Sequence, residues 1–225
     1  MGRPTYHKRM IITLEGASAV GKTTTSQTLV DQAGAYAIPE VNALFTRPQG
    51  EDPHWYLQRQ ADRWQIAQEQ TKDHPIVVLD GDVFQPLWYN WTFEQDGFPP
   101  LEFNADFYRP LIRAGKLEFP SHYFVLLASE PELRRRKESD PTRSRRGFEK
   151  HLRLIDCQAA YFRAMNTLAP GLVHFIEATS METTQQTIAE TVQQSPRPVD
   201  HPALFEGMVD WLARNPPPDS PTQGA

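Results

Sequence analysis

The chain has 225 residues, of which 39% are hydrophobic and one is a cysteine, and its formal net charge is −5. This length and apolar content suffice for one sizeable α/β core, while the lone Cys157 excludes an internal disulfide framework and suits a reducing compartment. The net negative charge argues against broad nucleic-acid binding, and the apolar run at residues 10–14 is too short for a signal peptide or a membrane span, so a cytoplasmic protein is expected.

That apolar run is of strand type, and it leads into Gly16-Ala-Ser-Ala-Val-Gly21-Lys22-Thr23 and a predicted helix over residues 23–32. The pattern G-x-x-x-x-G-K-[ST] between a strand and a helix is typical of a phosphate-binding loop, whose N–H groups point at phosphate oxygens. Lys22 would reach the β- and γ-phosphates and the Thr23 hydroxyl would ligate Mg²⁺, so ATP and Mg²⁺ are the expected cofactors. The alternative is an ordinary strand–turn–helix corner with a surface lysine. The predicted nucleotide-binding residues are Gly16, Ala17, Ser18, Ala19, Val20, Gly21, Lys22, Thr23 and Thr24.

Strands and helices alternate along the rest of the chain as far as residue 194. Apolar runs predict strands over residues 35–39, 75–79, 122–127 and 172–176. Helical spacing and capping signals predict helices over residues 55–71, 101–114, 131–137, 148–168 and 182–194. This order predicts an α/β protein of the three-layer P-loop NTPase fold, with a five-stranded parallel sheet and helices on both faces.

Proline and polar residues dominate the C-terminal part of the chain. One amphipathic helix is predicted there over residues 203–213, followed by a disordered tail over residues 215–225. We therefore expect one main domain over residues 1–195 and a C-terminal extension over residues 196–225.

Two carboxylates are expected beside the loop, because Glu40 and Asp80 each directly follow a predicted strand. In an open α/β sheet, ligands bind in the crevice at the carboxyl ends of the strands. One carboxylate can organise Mg²⁺ through water while the other accepts a proton from an attacking hydroxyl. Asp80 occupies the position that follows a buried strand, and Asp82 is a second candidate. The alternative is that Asp80-Gly81-Asp82 is only a strand-ending turn.

Residues 134–153 carry nine lysines and arginines but three acidic residues, on a chain that is otherwise acidic. A local basic patch favours a focused anionic ligand such as a nucleotide triphosphate. The alternative is a solvated helix face with ion pairs. Arg143, Arg145 and Arg146 lie in its turn-forming part, residues 140–147.

Taken in order, residues 16–23, Ile38-Pro39-Glu40, Leu79-Asp80 and residues 143–146 resemble P-loop kinases of the nucleoside and nucleotide type, in particular deoxynucleoside and thymidylate kinases. The resemblance covers residues 10–194. It implies that Glu40 is the base toward the acceptor hydroxyl and that an arginine-rich lid, at about residues 138–150, closes over the phosphates. It also implies that a helix with aromatic and glutamine residues, here residues 55–68, lines the acceptor pocket. The catalytic residues expected are Lys22, Glu40, Asp80, Arg143, Arg145 and Arg146, with Thr23 and, through water, Asp80 at the metal.

The acceptor side is less specific. Trp55, Trp64 and Trp88 can stack on a flat ring, although tryptophans on amphipathic helices are more often core. Members of the family usually carry an arginine after the acidic residue that ends the third strand, and here Gly81 stands in that place. Arg47, Arg59 and Arg63 are candidates to compensate. The acceptor-binding residues expected are Trp55, Gln58, Arg59, Trp64, Asp82 and Trp88.

The sequence thus predicts a kinase that transfers the γ-phosphoryl group of ATP to a small-molecule acceptor, by family default a nucleoside or nucleotide. An antibiotic or another hydroxylated metabolite is the runner-up acceptor, and a homodimer is left open. A nucleotide-dependent switch or regulatory ATPase is the alternative from another class. None of the asparagines stands in an N-K-x-D motif, which weakens the GTPase version of that alternative.

Overall fold

The described part of the chain is organised around one open β-sheet. The fold is that of a computed structural model, which describes residues 9–139 and 147–217. All strands in the sheet are parallel, in the order β2-β3-β1-β4-β5. The strands are β1 Met10–Gly16, β2 Tyr36–Ile38, β3 Ile76–Asp80, β4 His122–Leu127 and β5 Val173–Glu177.

Both faces of the sheet are covered, which is why the central strands β1, β3 and β4 consist almost entirely of buried residues. Successive side chains of a strand point to opposite faces. Ile11 of β1 and Val77 of β3 belong to one hydrophobic core, whereas Ile12 and Val78 belong to a second core on the other face. A parallel sheet that is buried on both sides is the arrangement that crossover helices produce. The predicted five-stranded parallel sheet with helices on both faces is therefore confirmed.

Ten helices flank the sheet in residues 9–139 and 147–217. They are α1 Lys22–Ala33, α2 Val41–Leu44, α3 Trp55–Gln70, α4 Gln85–Thr92, α5 Leu101–Arg113, α6 Glu130–Glu138, α7 Phe148–Leu152, α8 Leu154–Leu168, α9 Met181–Val192 and α10 His201–Arg214. Side chains of α3, α4, α5, α8 and α10 build the first core, and those of α1, α6, α7 and α9 build the second. None of these helices is long and apolar enough to cross a bilayer.

The element boundaries differ from the sequence prediction at two points. The single helix predicted over residues 148–168 is divided into α7 and α8, which meet at Arg153. The helices α2 and α4 were not predicted. Most residues of α4 are buried, so it shows no polar face and no helical period in the sequence.

The helix predicted over residues 203–213 is present as α10. Asp200 caps it, since its carboxylate accepts a hydrogen bond from the Ala203 N–H at 3.0 Å. Phe205 and Met208 are buried against the first core, and the Asn215 carbonyl accepts a hydrogen bond from the Trp91 indole at 2.9 Å. The predicted tail lies outside the described residues from residue 218 onward, and the division at residue 195 stays a prediction.

Candidate active site

The segment between β1 and α1 has the backbone of a phosphate-binding loop. Gly16 and Gly21 have positive φ values of 134° and 114°, and Ala19 adopts a φ of 73° without being glycine. At Gly16 a side chain is excluded, because a Cβ would lie 2.4 Å from the Leu126 carbonyl oxygen. Such left-handed residues in series turn successive N–H groups toward one point. A strained backbone at Ala19 is typical of a functional site.

Lys22 opens α1 and remains half-buried over this loop. Its ammonium group donates a hydrogen bond to the Gly16 carbonyl at 2.9 Å, across the mouth of the loop. Residues 17–24 line the cleft above, while Gly16 itself packs against β4. The loop therefore presents a cation, a ring of amides and a helix N-terminus to the same space.

Asp80 lies beside the loop because β3 pairs with β1 in the register Leu14↔Asp80. The Thr23 hydroxyl donates a hydrogen bond to Oδ2 of Asp80 at 2.9 Å. The other carboxylate oxygen, Oδ1, is buried without a hydrogen-bond partner in the described part of the chain. A hydroxyl and a carboxylate with an unsatisfied oxygen form the oxygen donor set that Mg²⁺ takes in nucleotide sites, so these residues fit a magnesium ion.

Glu40 lies two residues beyond the end of the adjacent β2, directly before α2, and lines the same cleft as Asp80. The pairing Ile38↔Leu79 brings the two strand ends side by side. Glu40 is exposed, and its side chain does not cap the following helix α2. Its carboxylate is therefore open to a bound molecule.

The cleft has a volume of about 840 Å³, which is in the range of small-molecule sites. Its far wall is formed by α6 and the segment after β5. Arg136 holds this wall to the loop, because its guanidinium donates to the Val20 carbonyl at 2.8 Å and to the Ala178 carbonyl at 2.5 Å. Glu132 pairs with the same guanidinium at 2.6 Å.

A buried acid pair lies behind the loop, and sequence reasoning missed half of it. Glu15 Oε1 accepts a hydrogen bond from the Asp82 N–H at 2.6 Å, and Oε2 accepts one from the Gln158 amide at 2.7 Å. Burial raises the pKa of Glu15 to about 7, against the opposing effect of Lys22. The signal in the sequence was available, because Glu15 is the acidic residue in an otherwise uncharged strand.

Asp82 was predicted to face the acceptor, but the structure places it in the interior with 0% exposure. Its Oδ1 accepts a hydrogen bond from the Tyr123 hydroxyl at 2.9 Å. Burial is the main cause that raises the pKa of Asp82 to about 7. The structure thus gives Asp82 an interior position, and its acceptor-binding role stays a prediction.

The tryptophans predicted to line the acceptor pocket divide into two groups. Trp64 and Trp88 are each 2% exposed and belong to the first core, which is the core position that the sequence left open as the alternative, and their stacking on an acceptor stays a prediction. The large apolar area of an indole is the physical reason, since these side chains face the sheet and the helices packed on it. Trp55 remains half-buried near the N-terminus of α3.

Arg59 and Gln58 lie on the outer side of α3. The Arg59 guanidinium stands 5.2 Å from the Phe45 ring centroid and 6.0 Å from that of Trp55, and it pairs with Asp62 at 2.7 Å. The Gln58 amide donates to the same Asp62 at 3.0 Å. Their acceptor-binding roles stay predictions.

Arg63 occupies a different place from the other two candidate arginines. It is 1% exposed, and its guanidinium donates to the Pro39 carbonyl at 2.9 Å, the Asp80 carbonyl at 2.7 Å and the Gly81 carbonyl at 3.0 Å. Arg47, by contrast, is exposed and pairs with Glu51 at 2.5 Å.

Helix α7 adds a residue that the sequence did not single out. Burial lowers the pKa of His151, the charge of Lys22 lowers it further, and that of Glu40 opposes the shift. His151 therefore lies within electrostatic range of Lys22 and Glu40.

The predicted lid arginines Arg143, Arg145 and Arg146 lie outside the described residues. The neighbouring basic residues of α6 are held in ion pairs: Arg134 with Glu130 at 2.7 Å and with Glu149 at 2.8 Å, and Arg135 with Glu132 at 2.7 Å. Arg134 and Arg135 therefore belong to a helix face with ion pairs, which is the alternative that the sequence left open for this basic segment.

The fold and the cleft place the chain among known structures. A scan against protein-family models gives no match, and neither does a search of the curated proteins. Among solved structures, deoxyadenosine kinase from M. mycoides with bound dATP is similar with a TM-score of 0.55 at 16% identity, covering 81% of this chain and 99% of that one. Thymidylate kinase from Candida albicans gives 0.56 at 13% identity, covering 83% and 92%. Thymidylate kinase from Ehrlichia chaffeensis gives 0.53 at 15%, covering 82% and 99%.

The chain therefore has the fold of the P-loop nucleoside and nucleotide kinases, as the sequence motifs predicted. The strand order 2-3-1-4-5 is part of that likeness. At these identities the likeness concerns the fold, and the chemistry has to be argued from the cleft itself.

Proposed function

We propose that this protein is an ATP- and Mg²⁺-dependent phosphotransferase that acts on a small-molecule acceptor, most simply a nucleoside or a nucleotide. The observation that carries the proposal is the position of Thr23, Asp80 and Glu40 around one cleft, with the Thr23 hydroxyl 2.9 Å from Asp80. A phosphate loop alone serves many NTPases. A second carboxylate on the same rim supplies what transfer to a hydroxyl requires in addition.

Each residue has a role that follows from its place. The loop amides and Lys22 hold the β- and γ-phosphates, and Thr23 with Asp80 would hold Mg²⁺, which supplies neutralisation of the phosphate charge when it is bound. Glu40 accepts the proton of the acceptor hydroxyl while the oxygen of that hydroxyl bonds to the γ-phosphorus. The bond from that phosphorus to the bridging oxygen breaks, and ADP leaves with the bonding electron pair.

The far wall of the cleft suits the nucleotide base. Arg136 ties α6 to the loop and to the segment after β5, and residues 178–181 of that segment line the cleft. This leaves the Glu40 side for the acceptor. The structurally similar kinases include one with bound dATP and one with bound dCTP, which supports a nucleotide-sized ligand here.

Three kinds of acceptor separate the open alternatives. Purified protein with ATP and Mg²⁺ is incubated with deoxynucleosides, with deoxynucleoside monophosphates, or with aminoglycoside- and macrolide-type alcohols, and ADP formation is followed. The Lys22→Ala variant, purified in parallel, reports contaminating kinases. ADP formation that depends on an acceptor supports the proposal and names the class. Hydrolysis of ATP at one rate with and without every acceptor would instead indicate a switch or regulatory ATPase.

A further inference from the structure

Arg63 is the most deeply buried cation of the described residues, yet none of the hydrogen bonds that its guanidinium makes with them goes to a carboxylate. Besides the three carbonyls of Pro39, Asp80 and Gly81, its guanidinium donates to the Gln60 side chain at 2.6 Å. Burying a cation without good partners is costly, so a site of this kind must be densely satisfied to persist. Arg63 meets that condition through three backbone carbonyl oxygens and the side-chain oxygen of one glutamine on its own helix.

The three carbonyls are those around the two candidate catalytic carboxylates. Pro39 directly precedes Glu40, and the other two carbonyls belong to Asp80 and Gly81. Between β2 and β3 the backbone pairing ends at Ile38↔Leu79, so the residues that follow have no ladder to hold them together. The guanidinium of Arg63 spans this gap. One rigid, planar group therefore fixes both strand ends beyond the sheet.

Charge complements this geometry. Burial lowers the pKa of Arg63, and the charges of Glu40, Asp80 and Asp82 oppose this shift and favour the charged form. The same cation lies behind the backbone of Gly81, whose φ of 85° favours glycine and which has the Glu40 side chain beside it. A Cβ there would meet Glu40 Cγ at 3.7 Å.

We propose that Arg63 is a positioning residue. Its hydrogen bonds to the backbone at the ends of β2 and β3 set the separation of the Glu40 and Asp80 carboxylates. It acts through those two residues and touches neither ATP nor acceptor. The proposal rests on the phosphotransferase function for its kinetic consequence. Its structural consequence, the placement of Asp80 against Thr23, can be measured without any acceptor.

The test uses the full chain with Arg63→Met, which keeps the apolar stem, and Arg63→Lys, which keeps the charge without the planar fork. Ile112→Ala, in the first core and on α5, is the matched control for lost stability. The first readout is the ratio of ATP dissociation constants in EDTA and in Mg²⁺, by nucleotide fluorescence with no acceptor present. The second is kcat and KM for ATP with the acceptor found to be active.

Arg63→Met is expected to lower the ratio of the ATP dissociation constant in EDTA to that in Mg²⁺ about tenfold, as loss of supporting groups does at metal sites. It should lower kcat about tenfold or more, with KM for ATP nearly unchanged. Arg63→Lys should have a ratio and a kcat that lie between those of Arg63→Met and wild type. Ile112→Ala should melt earlier with both readouts as in wild type. If Arg63→Met does not fold, Arg63→Lys decides, with the same changes expected at about threefold.

Wild-type values of the ratio and of kcat in the folded arginine variants would overturn the proposal and leave Arg63 as a stabilising residue only. A wild-type chain that binds Mg²⁺ and ATP together but phosphorylates no acceptor would overturn the kinase function. The ratio of ATP dissociation constants in EDTA and in Mg²⁺ would still decide the role of Arg63. A chain with no affinity for ATP would overturn both.

Discussion

The hydroxyl of Thr23 donates a hydrogen bond to the carboxylate of Asp80 across 2.9 Å and joins the first turn of α1 to the end of β3. These residues are 57 positions apart, and the register between β1 and β3 brings them together. The pair is in place in the protein alone. Under the proposed function, a preorganised pair of oxygen donors would need little rearrangement when Mg²⁺ and nucleotide bind.

Neutralising Asp80 is expected to weaken the response to magnesium. Asp80→Asn keeps an oxygen that accepts the Thr23 hydrogen bond but removes the negative charge. The Mg²⁺ concentration needed for half-maximal ATP binding should rise about tenfold, while ATP binding in EDTA stays the same. A magnesium titration of nucleotide fluorescence measures both. An unchanged titration would assign Asp80 to the strand-ending turn alone.

Glu40→Gln should slow the chemical step instead. The amide keeps the shape of the side chain and cannot accept a proton, so kcat should fall by about 10²–10⁴ with ATP affinity nearly unchanged. Because Glu40 is exposed, the melting temperature should not change. Single-turnover transfer to the active acceptor is the measurement. If only the magnesium requirement shifts, Glu40 and Asp80 have exchanged roles, and a wild-type rate would make Glu40 merely the polar end of a strand.

Removal of the loop lysine tests the phosphate site directly. Lys22→Ala loses a charge contact to the transferring phosphoryl group, which is worth about 3 kcal/mol, or roughly a hundredfold in rate. The hydrogen bond to the Gly16 carbonyl is also lost, at a cost in stability of about 1 kcal/mol. The control is Lys72→Ala, an exposed lysine paired with Glu69 beyond the end of α3. Full turnover of Lys22→Ala at saturating ATP would end the phosphate-loop interpretation.

The predicted lid has its own test. Arg145→Ala and Arg146→Ala should each slow transfer without lowering the melting temperature, because a basic loop of this composition contributes little to the core. Arg134→Ala is the control, since its guanidinium is already held by Glu130 and Glu149. Transfer rates and thermal melts of the three variants are compared. Early melting with full activity of the lid variants would indicate a structural ion-pair network.

Local patterns predicted the sheet, its strand ends and the loop, since these depend on short runs such as residues 10–23 and on the rule that ligands bind at the carboxyl ends of strands. The helix α4 was not predicted because most of its residues are buried and it has no polar face. Trp64 and Trp88 were assigned to a pocket because sequence spacing does not say which apolar face of a helix meets the core. The interior contacts of Arg63 and Asp82 also escaped. They depend on tertiary packing between residues far apart in the chain, for which a single sequence carries no signal.

The buried acid pair behind the loop is expected to make stability depend on pH. Glu15 has a usual pKa of 4.5 and a pKa of about 7 in the fold, and Asp82 shifts from 3.8 to about 7, mainly because burial disfavours the charged forms. Between the two values the folded state binds more protons than the unfolded state. Stability therefore falls as pH rises through this window and levels off above the folded pKa.

The measurement is the difference between Glu15→Gln and wild type, because His122, with a pKa lowered to about 4 by burial, contributes the opposite slope over part of the same range. In the variant the Gln158 amide can turn its oxygen toward the new side chain, so the hydrogen bond at this position is kept. From pH 4.5 to 7.5 the free energy of unfolding of Glu15→Gln should rise relative to wild type by something on the order of 2 kcal/mol. Urea unfolding followed by tryptophan fluorescence at several pH values gives this difference. A difference that stays constant across the window would mean that Glu15 is already ionised in the folded protein, with Lys22 and the Asp82 N–H outweighing the cost of burial.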